Sequence, residues 1–326
     1  MSIMLYKSDF KPAWWLANAH LQTMMAKYLR RHEKIDTITE ILELPDNDFI
    51  ELAWTEIPPA NNTRPIVVLL HGLAGSKDSH YAKGMLQALK NKGWIGVLMH
   101  FRGCGKQPNR QAHSYHSGDT RDIHFFSQVL FHRHQQCPFA LIGFSLGGNV
   151  LTRYLAEHKN NSYKSAISIC APLHLASCSQ RINQGFSKIY QTYLVKLLKK
   201  STKEKVTKQL LPQICPKKLA NIRTIWQFDD YITAPINGFN NATHYYQQAS
   251  GLDVLTEIQQ PCLIIHASDD PFLSNSDIIN VKQLPKNIRF EVSKYGGHVG
   301  FIQGNNPFKP QYWLEKRALN FLADFL

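Results

Sequence analysis

The sequence IGFSLGGN places Ser145 between glycines at positions 143 and 147. It follows the apolar run FALI and opens the helix-compatible segment LGGNVLTRYLAEH. This setting is typical of a strand-to-helix turn that presents a serine hydroxyl as a nucleophile. We expect a strained backbone at Ser145, and glycines on either side because strand and helix approach too closely for Cβ atoms.

A serine hydroxyl is a weak nucleophile near pH 7 and needs a base, which a carboxylate must orient. HASDDPF ends one apolar run with Asp269 and Asp270, and YGGHVGF places His298 in a glycine-rich loop after another. Serine, acid and histidine therefore follow in the order expected for such a turn. The alternative acid position, in APLHLASCSQ (171–180), has no carboxylate. The residues predict a triad of Ser145, His298 and one of the two aspartates.

A tetrahedral oxyanion formed at Ser145 would need two N–H donors. The Leu146 amide, at the start of the predicted helix, is one candidate. VVLLHGLAGS (67–76) is a buried run that enters a His-Gly turn, and its Leu73 amide is the other candidate. We expect His71 to help shape this turn.

Alternating apolar runs and helix-length segments predict the fold. TITEILEL (37–44) and FIELAW (49–54) flank PDND and predict a β-hairpin. Six later runs predict buried strands: PIVVLL, WIGVLMH, FALIGF, SAISIC, CLIIHA and IRFEVS. Predicted helices cover 81–92, 120–134, 146–158 and 276–282, and a final helix in 312–326 carries an apolar stripe of Leu314, Ala318, Phe321, Leu322 and Phe325. The pattern indicates an α/β fold, with a mostly parallel central sheet flanked by helices.

The alternation lapses between Pro172 and Gln260, where QGFSKIYQTYLVKLLKK predicts an amphipathic helix. We expect a helical cap insertion at 173–255 between two parts of one core, 1–172 and 256–326. The formal net charge is +13, and nine lysines stand against Glu204 alone between positions 186 and 218. A solvated helical face is the favoured interpretation; an anionic membrane surface is the next, and nucleic acid the last.

Composition excludes several classes. The 326 residues are 44% hydrophobic and 19% charged, as in globular proteins. No apolar run reaches 18 residues, the first 30 residues show no secretion signal, and the six cysteines form no C-x-x-C pair. We expect a cytoplasmic protein with reduced thiols. The histidines crowded between 113 and 134 lack metal-ligand spacing, so we expect no metal site there. Catalysis by a serine triad requires no metal or organic cofactor, and none is expected.

Four further residues invite a functional interpretation. For Arg102, in HFRGCG, a buried salt bridge is favoured over contact with an anionic substrate. Asp229 and Asp230 are interpreted as anchors of the cap to the core. Cys104, between glycines, is given no catalytic role.

Several longer strings resemble the YheT-like bacterial α/β-hydrolases: FKPAWWLANAHLQT, HFRGCGKQPNR, YHSGDTRD, GFSLGGNVL, FDDYITAP, and DDPF with GGHVGF. The resemblance covers nearly the whole chain. It implies an α/β-hydrolase fold and a serine carboxylesterase whose animal relatives act on lipid esters. It places the triad on Ser145, Asp270 and His298, since related enzymes commonly bear the acid beside the proline. Ala74 departs from the family, in which many members have an acidic residue.

We therefore expect a carboxylic-ester hydrolase that acts on short- to medium-chain esters through an acyl-enzyme. Two alternatives stay open. One is a lipase or phospholipase that meets an anionic membrane through the basic cap. The other is a hydrolase-like binding protein without chemistry. The sequence leaves the physiological substrate and the oligomeric state open.

Overall fold

A nine-stranded sheet forms the centre of the computed structural model, which describes residues 5–274 and 284–326. The strands are β1 (Leu5–Lys7), β2 (Ile38–Glu43), β3 (Phe49–Trp54), β4 (Ile66–Leu70), β5 (Ile95–Met99), β6 (Phe139–Phe144), β7 (Tyr163–Ile169), β8 (Cys262–Ala267) and β9 (Ile288–Ser293). They lie in the order β1-β9-β8-β7-β6-β4-β5-β3-β2. A separate pair consists of β10 (Ile302–Gln303) and β11 (Gln311–Tyr312).

Strands β4 to β9 and β1 run parallel, whereas β2 and β3 form an antiparallel hairpin at one edge. The predicted hairpin and six buried strands are all present. Because the parallel strands point the same way, the loops that follow β4, β6, β8 and β9 meet at one edge of the sheet. These loops carry the residues that the sequence singled out.

The described residues contain the α-helices α1 (Ala19–Leu29), α2 (His80–Asn91), α3 (Arg121–Arg133), α4 (Leu146–Glu157), α5 (Leu175–Ile182), α6 (Lys188–Thr207), α7 (Pro216–Asn221), α8 (Ile225–Phe228), α9 (Ala234–Ile236), α10 (Ala242–Ala249) and α11 (Trp313–Leu322).

 The part of the chain that the structure describes thus has eleven α-helices. None of them is long and apolar enough to cross a membrane.

Alternate side chains along the strands pack into two hydrophobic cores, one on each face of the sheet. In β4, Ile66, Val68 and Leu70 face the core that α3 and α4 cover, whereas Val67 and Leu69 face the core covered by α2 and α11. All five side chains are fully buried. Because both faces of the sheet are buried, the strands are continuous apolar runs in the sequence. The α/β-hydrolase arrangement expected from the sequence, a mostly parallel sheet flanked by helices, is confirmed.

Helices α5 to α10 fill the chain between β7 and β8, within the predicted insertion 173–255. They contain two hydrophobic clusters of their own, one around Phe228 and Ile232 and one around Tyr245 and Tyr246. We use the word cap for 173–255. The division into a cap and a two-part core, 1–172 and 256–326, stays a prediction.

Some elements differ from the expectation. Strand β1 and helix α1 were not predicted, and β1 extends the sheet by pairing with β9. The final helix ends at Leu322, so Phe325 falls outside it and is 37% exposed, unlike the buried remainder of its stripe. The predicted helix at 276–282 lies outside the described residues.

Candidate active site

Ser145 occupies the turn between β6 and α4, with φ 51° and ψ −123°. A positive φ is strained for a serine. A Cβ atom at Gly143 would lie 2.4 Å from the Gly147 carbonyl oxygen, and one at Gly147 would lie 2.5 Å from the Leu70 carbonyl oxygen. Strand and helix therefore approach as closely as the sequence predicted, and the glycines permit it.

His298 lies between Ser145 and Asp270. Its Nε2 atom is 3.0 Å from Ser145 Oγ, and its Nδ1 atom is 2.8 Å from Asp270 Oδ2. A carboxylate can only accept, so Nδ1 carries the proton and Nε2 accepts from the Ser145 hydroxyl. The structure thus brings the three predicted residues into one hydrogen-bonded chain.

The two adjacent aspartates have different partners. Asp270 is buried, and its second oxygen, Oδ1, accepts from the Phe272 amide at 2.8 Å. Asp269 Oδ1 instead accepts from the Gly297 amide at 2.9 Å. Burial raises the pKa of Asp269 above its usual value. Asp269 thus contacts the backbone of the loop beside His298, and Asp270 contacts the imidazole.

Residues far away in sequence also hold His298. The Phe272 ring stacks on the imidazole with the centroids 4.0 Å apart. Thr23 of α1 accepts a hydrogen bond from the His298 amide at 2.9 Å. A Cβ atom at Gly297 would lie 2.4 Å from the Ala19 carbonyl oxygen. Helix α1 therefore packs directly against the histidine loop.

The loop after β4, which carries Leu73, lies beside Ser145, since a Cβ atom at Gly72 would lie 3.1 Å from Ser145 Cβ. The amides on either side of Leu73 are engaged: the Gly72 amide donates to Tyr81 Oη and the Ala74 amide to Tyr115 Oη, each at 2.8 Å. Within residues 5–274 and 284–326, neither the Leu73 nor the Leu146 amide has a hydrogen-bond acceptor. Both residues line the same cavity as Ser145.

His71 fixes this loop. It is fully buried, and burial lowers its pKa to about 3, so the imidazole is neutral. Its Nε2 atom accepts from the Phe101 amide at 3.0 Å, and Nδ1 donates to the Gly72 carbonyl at 2.7 Å. The predicted role of His71 in shaping the turn agrees with these contacts.

A cavity of about 930 Å³ opens beside Ser145, at the upper end of the range for small-molecule sites. Core loops contribute one wall. The cap contributes another that is mainly apolar, with Leu175, Ile182, Phe228 and Ile232 among its residues. The site therefore joins a polar hydrogen-bonded chain to a large apolar chamber.

Comparison with known proteins places the chain in a family. The family described as having the alpha/beta hydrolase fold matches residues 65–305. The chain is also 42% identical to the candidate esterase YheT of Escherichia coli K12, over 98% of this chain and 94% of that protein. The chain is a YheT-like α/β-hydrolase. The resemblance stated from the sequence is thereby confirmed.

More distant similarities agree with this assignment. The hydrolase is 27% identical to the monoacylglycerol lipase of Saccharomyces cerevisiae, over 82% of this chain and 60% of that protein. The esterase Pf2001 of Pyrococcus furiosus has the same fold, with a TM-score of 0.59 at 16% identity, and the match covers 100% of this chain and 99% of that one. At such low identity the structural match shows the fold alone.

Arg102 has structural partners in the hydrolase. Its guanidinium donates to both oxygens of Asp122, at 2.8 and 2.7 Å, and contacts Asp46 and Asp48. Although Arg102 lines the cavity, these carboxylates occupy its donors. The favoured interpretation, a buried salt bridge, agrees with the structure.

The interpretation of Asp229 and Asp230 as anchors of the cap to the core was wrong. Asp229 accepts from Thr233 Oγ1 and Tyr246 Oη, and Asp230 accepts from the Ala242 amide. All of these partners lie within the cap. Burial raises the pKa of Asp229 to about 6. The aspartates join cap helices to one another because the segment folds back on itself.

The crowded histidines do not converge. Among the described residues, the one group of three possible metal ligands is Cys170, Asp270 and His298, and it contains no histidine from 113–134. Two of its members already belong to the hydrogen-bonded chain. Burial raises the pKa of the Cys104 thiol to about 12, so the thiol stays protonated near pH 7.

Proposed function

We propose that the hydrolase is a serine carboxylic-ester hydrolase with Ser145, His298 and Asp270 as its triad. The observation that carries the proposal is the chain Ser145 Oγ, His298 Nε2, His298 Nδ1 and Asp270 Oδ2, with links of 3.0 and 2.8 Å. It starts at a strained turn whose serine lines the cavity. That arrangement is the one required for nucleophilic catalysis by serine.

The reaction follows from the positions of the groups. His298 Nε2 takes the hydroxyl proton as Ser145 Oγ attacks the ester carbonyl carbon. Asp270 stabilises the resulting imidazolium and keeps its orientation. The amides of Leu73 and Leu146 donate to the oxyanion, and His298 then protonates the departing alcohol.

Water completes the cycle. It loses a proton to His298 Nε2 as its oxygen attacks the acyl-Ser145 carbonyl carbon. The bond between Ser145 Oγ and the acyl carbon then breaks, His298 returns the proton to Ser145 Oγ, and the acid leaves. The polar groups of this chain supply every proton transfer, so the proposal requires no metal or organic cofactor. Esters with short to medium acyl chains are the proposed substrates.

A second candidate is hydrolysis of lipid esters. The size and apolar cap wall of the cavity favour it, since they offer more apolar surface than a short acyl group covers. The similarity to a monoacylglycerol lipase points in the same direction. The two candidates share the triad and differ in the substrate.

The test compares purified wild-type protein with Ser145→Ala on p-nitrophenyl esters of increasing acyl length. We expect kcat to fall by at least about 10⁴-fold in the variant. The matched control is Ser162→Ala, an exposed serine just before β7 at the opposite edge of the sheet, which should retain wild-type activity. A peak at short or medium chains supports the first candidate, and a rise towards long chains supports the second. Full hydrolysis by a folded Ser145→Ala variant would overturn both.

A further inference from the structure

Two neighbouring segments leave large apolar side chains in solvent. Six of the thirteen exposed large hydrophobic residues among those described lie on α1, in the first turns of α6 or just before it, and they are 40% to 55% exposed. We call this set the apolar rim: Leu21, Met24, Tyr28, Phe186, Ile189 and Tyr193. Exposed apolar residues that cluster in this way mark interaction sites, whereas scattered ones need no explanation.

The apolar rim is one surface because α1 and α6 touch. His20 Nδ1 lies 3.2 Å from Tyr190 Oη, and the His20 and Phe186 rings are 4.5 Å apart. Lys27 Nζ donates to Tyr193 Oη at 3.3 Å. These contacts join a helix of the core to a helix of the cap.

The apolar rim lies at the mouth of the cavity. Met24, Ile189 and Tyr193 are exposed, yet they also line the cavity that contains Ser145 and His298. A side chain that is both exposed and cavity-lining lies where the cavity meets solvent. A surface that covers the apolar rim therefore lies over the entrance of the cavity that contains the triad.

Lysines continue the exposed face of α6. Lys196, Lys200 and Lys203 are exposed and follow Ile189 at spacings of 7, 11 and 14 residues, which places them within about 40° of it around the helix. The one acid of α6, Glu204, lies about 60° from Ile189. We call these three residues the lysine stripe.

We propose that the apolar rim and the lysine stripe dock the hydrolase on an anionic lipid surface, with the mouth of the cavity facing the lipid. The inference rests on the proposed function and names where its substrate enters. Apolar side chains beside cations match the acyl boundary and the anionic headgroups of such a surface. A second copy of the chain would set lysine stripe against lysine stripe, and nucleic acid would leave the aliphatic side chains without a partner.

The experiment measures co-sedimentation with vesicles of phosphatidylcholine alone and of phosphatidylcholine with phosphatidylglycerol. The rim variant is Leu21→Asp with Tyr28→Asp, since neither side chain lines the cavity. Its control is Ile38→Asp with Ile57→Asp. These residues are comparably exposed and lie at the opposite edge, because Ile38 pairs with the end of β3, which runs antiparallel to β5.

Wild-type protein should bind the anionic vesicles, and the rim variant should bind them at least about tenfold more weakly, because each substitution removes buried apolar surface and adds a negative charge. The control pair should bind like the wild type. Neutralising the lysine stripe to glutamine should weaken binding by about 100-fold at low salt, since each lysine near an anionic surface contributes about fivefold. The matched triple replaces exposed lysines of the opposite edge, Lys90, Lys92 and Lys164, and should bind like the wild type.

The inference would be overturned if the wild-type protein did not bind anionic vesicles, or if the rim variant bound them as well as the wild type. Light scattering that shows a dimer dissociated by the rim substitutions would also overturn it and assign the surface to a second copy. Hydrolysis of dissolved p-nitrophenyl acetate, measured for the wild type and the rim variant, separates the two proposals. If the wild type hydrolyses this ester but does not bind vesicles, the proposed function stands and the docking surface is rejected. If it binds vesicles but does not hydrolyse the ester, the proposed function alone is rejected.

Discussion

At the scale of single residues, the site depends on adjacent side chains that point in different directions. Asp269 and Asp270 are neighbours, yet one contacts the Gly297 amide and the other the His298 ring. Residue type and order alone leave both aspartates possible. The two aspartates differ in which group of the histidine loop each side chain contacts, and no local pattern encodes that difference.

This difference predicts unequal effects of the same substitution. Asp270→Asn should lower kcat by about 10³- to 10⁴-fold, because an amide in place of the carboxylate disfavours the tautomer with the proton on Nδ1. Asp269→Asn should lower it less than tenfold, since an asparagine oxygen still accepts from the Gly297 amide. Steady-state kinetics on a p-nitrophenyl ester, with thermal unfolding to verify folding, measure both. A larger loss for Asp269→Asn would reverse the assignment of the acid.

At the scale of elements, the buried strands and their order follow from apolar runs, and the catalytic candidates follow from the loops after them. The contacts that hold those loops in place do not follow from any pattern in the sequence. Thr23 and His298 are 275 positions apart in sequence, and Tyr115 reaches the Ala74 amide across 41. No local pattern encodes such pairs. Strand β1 could not be predicted either, because three residues at the edge of a sheet carry no periodic signal.

The close approach of α4 to the end of β4 predicts a stability effect. Gly147→Ala should lower the free energy of unfolding by about 3 kcal/mol, because its Cβ atom would overlap the Leu70 and His71 carbonyl oxygens. Gly185→Ala is the control: Gly185 has φ +50° and no heavy atom within 4 Å of an added Cβ. It should cost only about 1 kcal/mol of backbone strain. Urea unfolding measures both, and equal losses would contradict the packing argument.

At the scale of the whole molecule, the lysines of the cap include both exposed and buried side chains. Most cap lysines are exposed, as the favoured interpretation expected, but Lys205 is buried. Its ammonium donates to the carbonyls of Ala112 and His113 and to Ser114 Oγ. Composition counts this lysine with the rest, although it joins a cap helix to the core. Only tertiary structure distinguishes the two kinds.

Buried histidines predict how stability depends on pH. Burial lowers the pKa of His266 to about 4 from 6.5, and neither ring nitrogen has a partner among the described atoms. Between these values the unfolded chain binds a proton that the folded protein does not, so stability falls as pH falls through this window. His266→Leu should remove that contribution, about 2 kcal/mol between pH 7.5 and 5.

Urea unfolding at both pH values measures the effect. The exposed His132→Leu is the matched control and should follow the wild-type curve, because its imidazole stays in water in both states. A His266→Leu variant with the wild-type pH dependence would show that another group causes the acid instability.

The central claim is that Ser145 is an activated nucleophile. Its most direct test is covalent labelling of the purified protein with a fluorophosphonate, followed by mass spectrometry of the peptides. The account predicts one label per chain, located on Ser145, with labelling slowed in Asp270→Asn and absent in Ser145→Ala. Label on another residue, or an unlabelled protein that is folded, would contradict it.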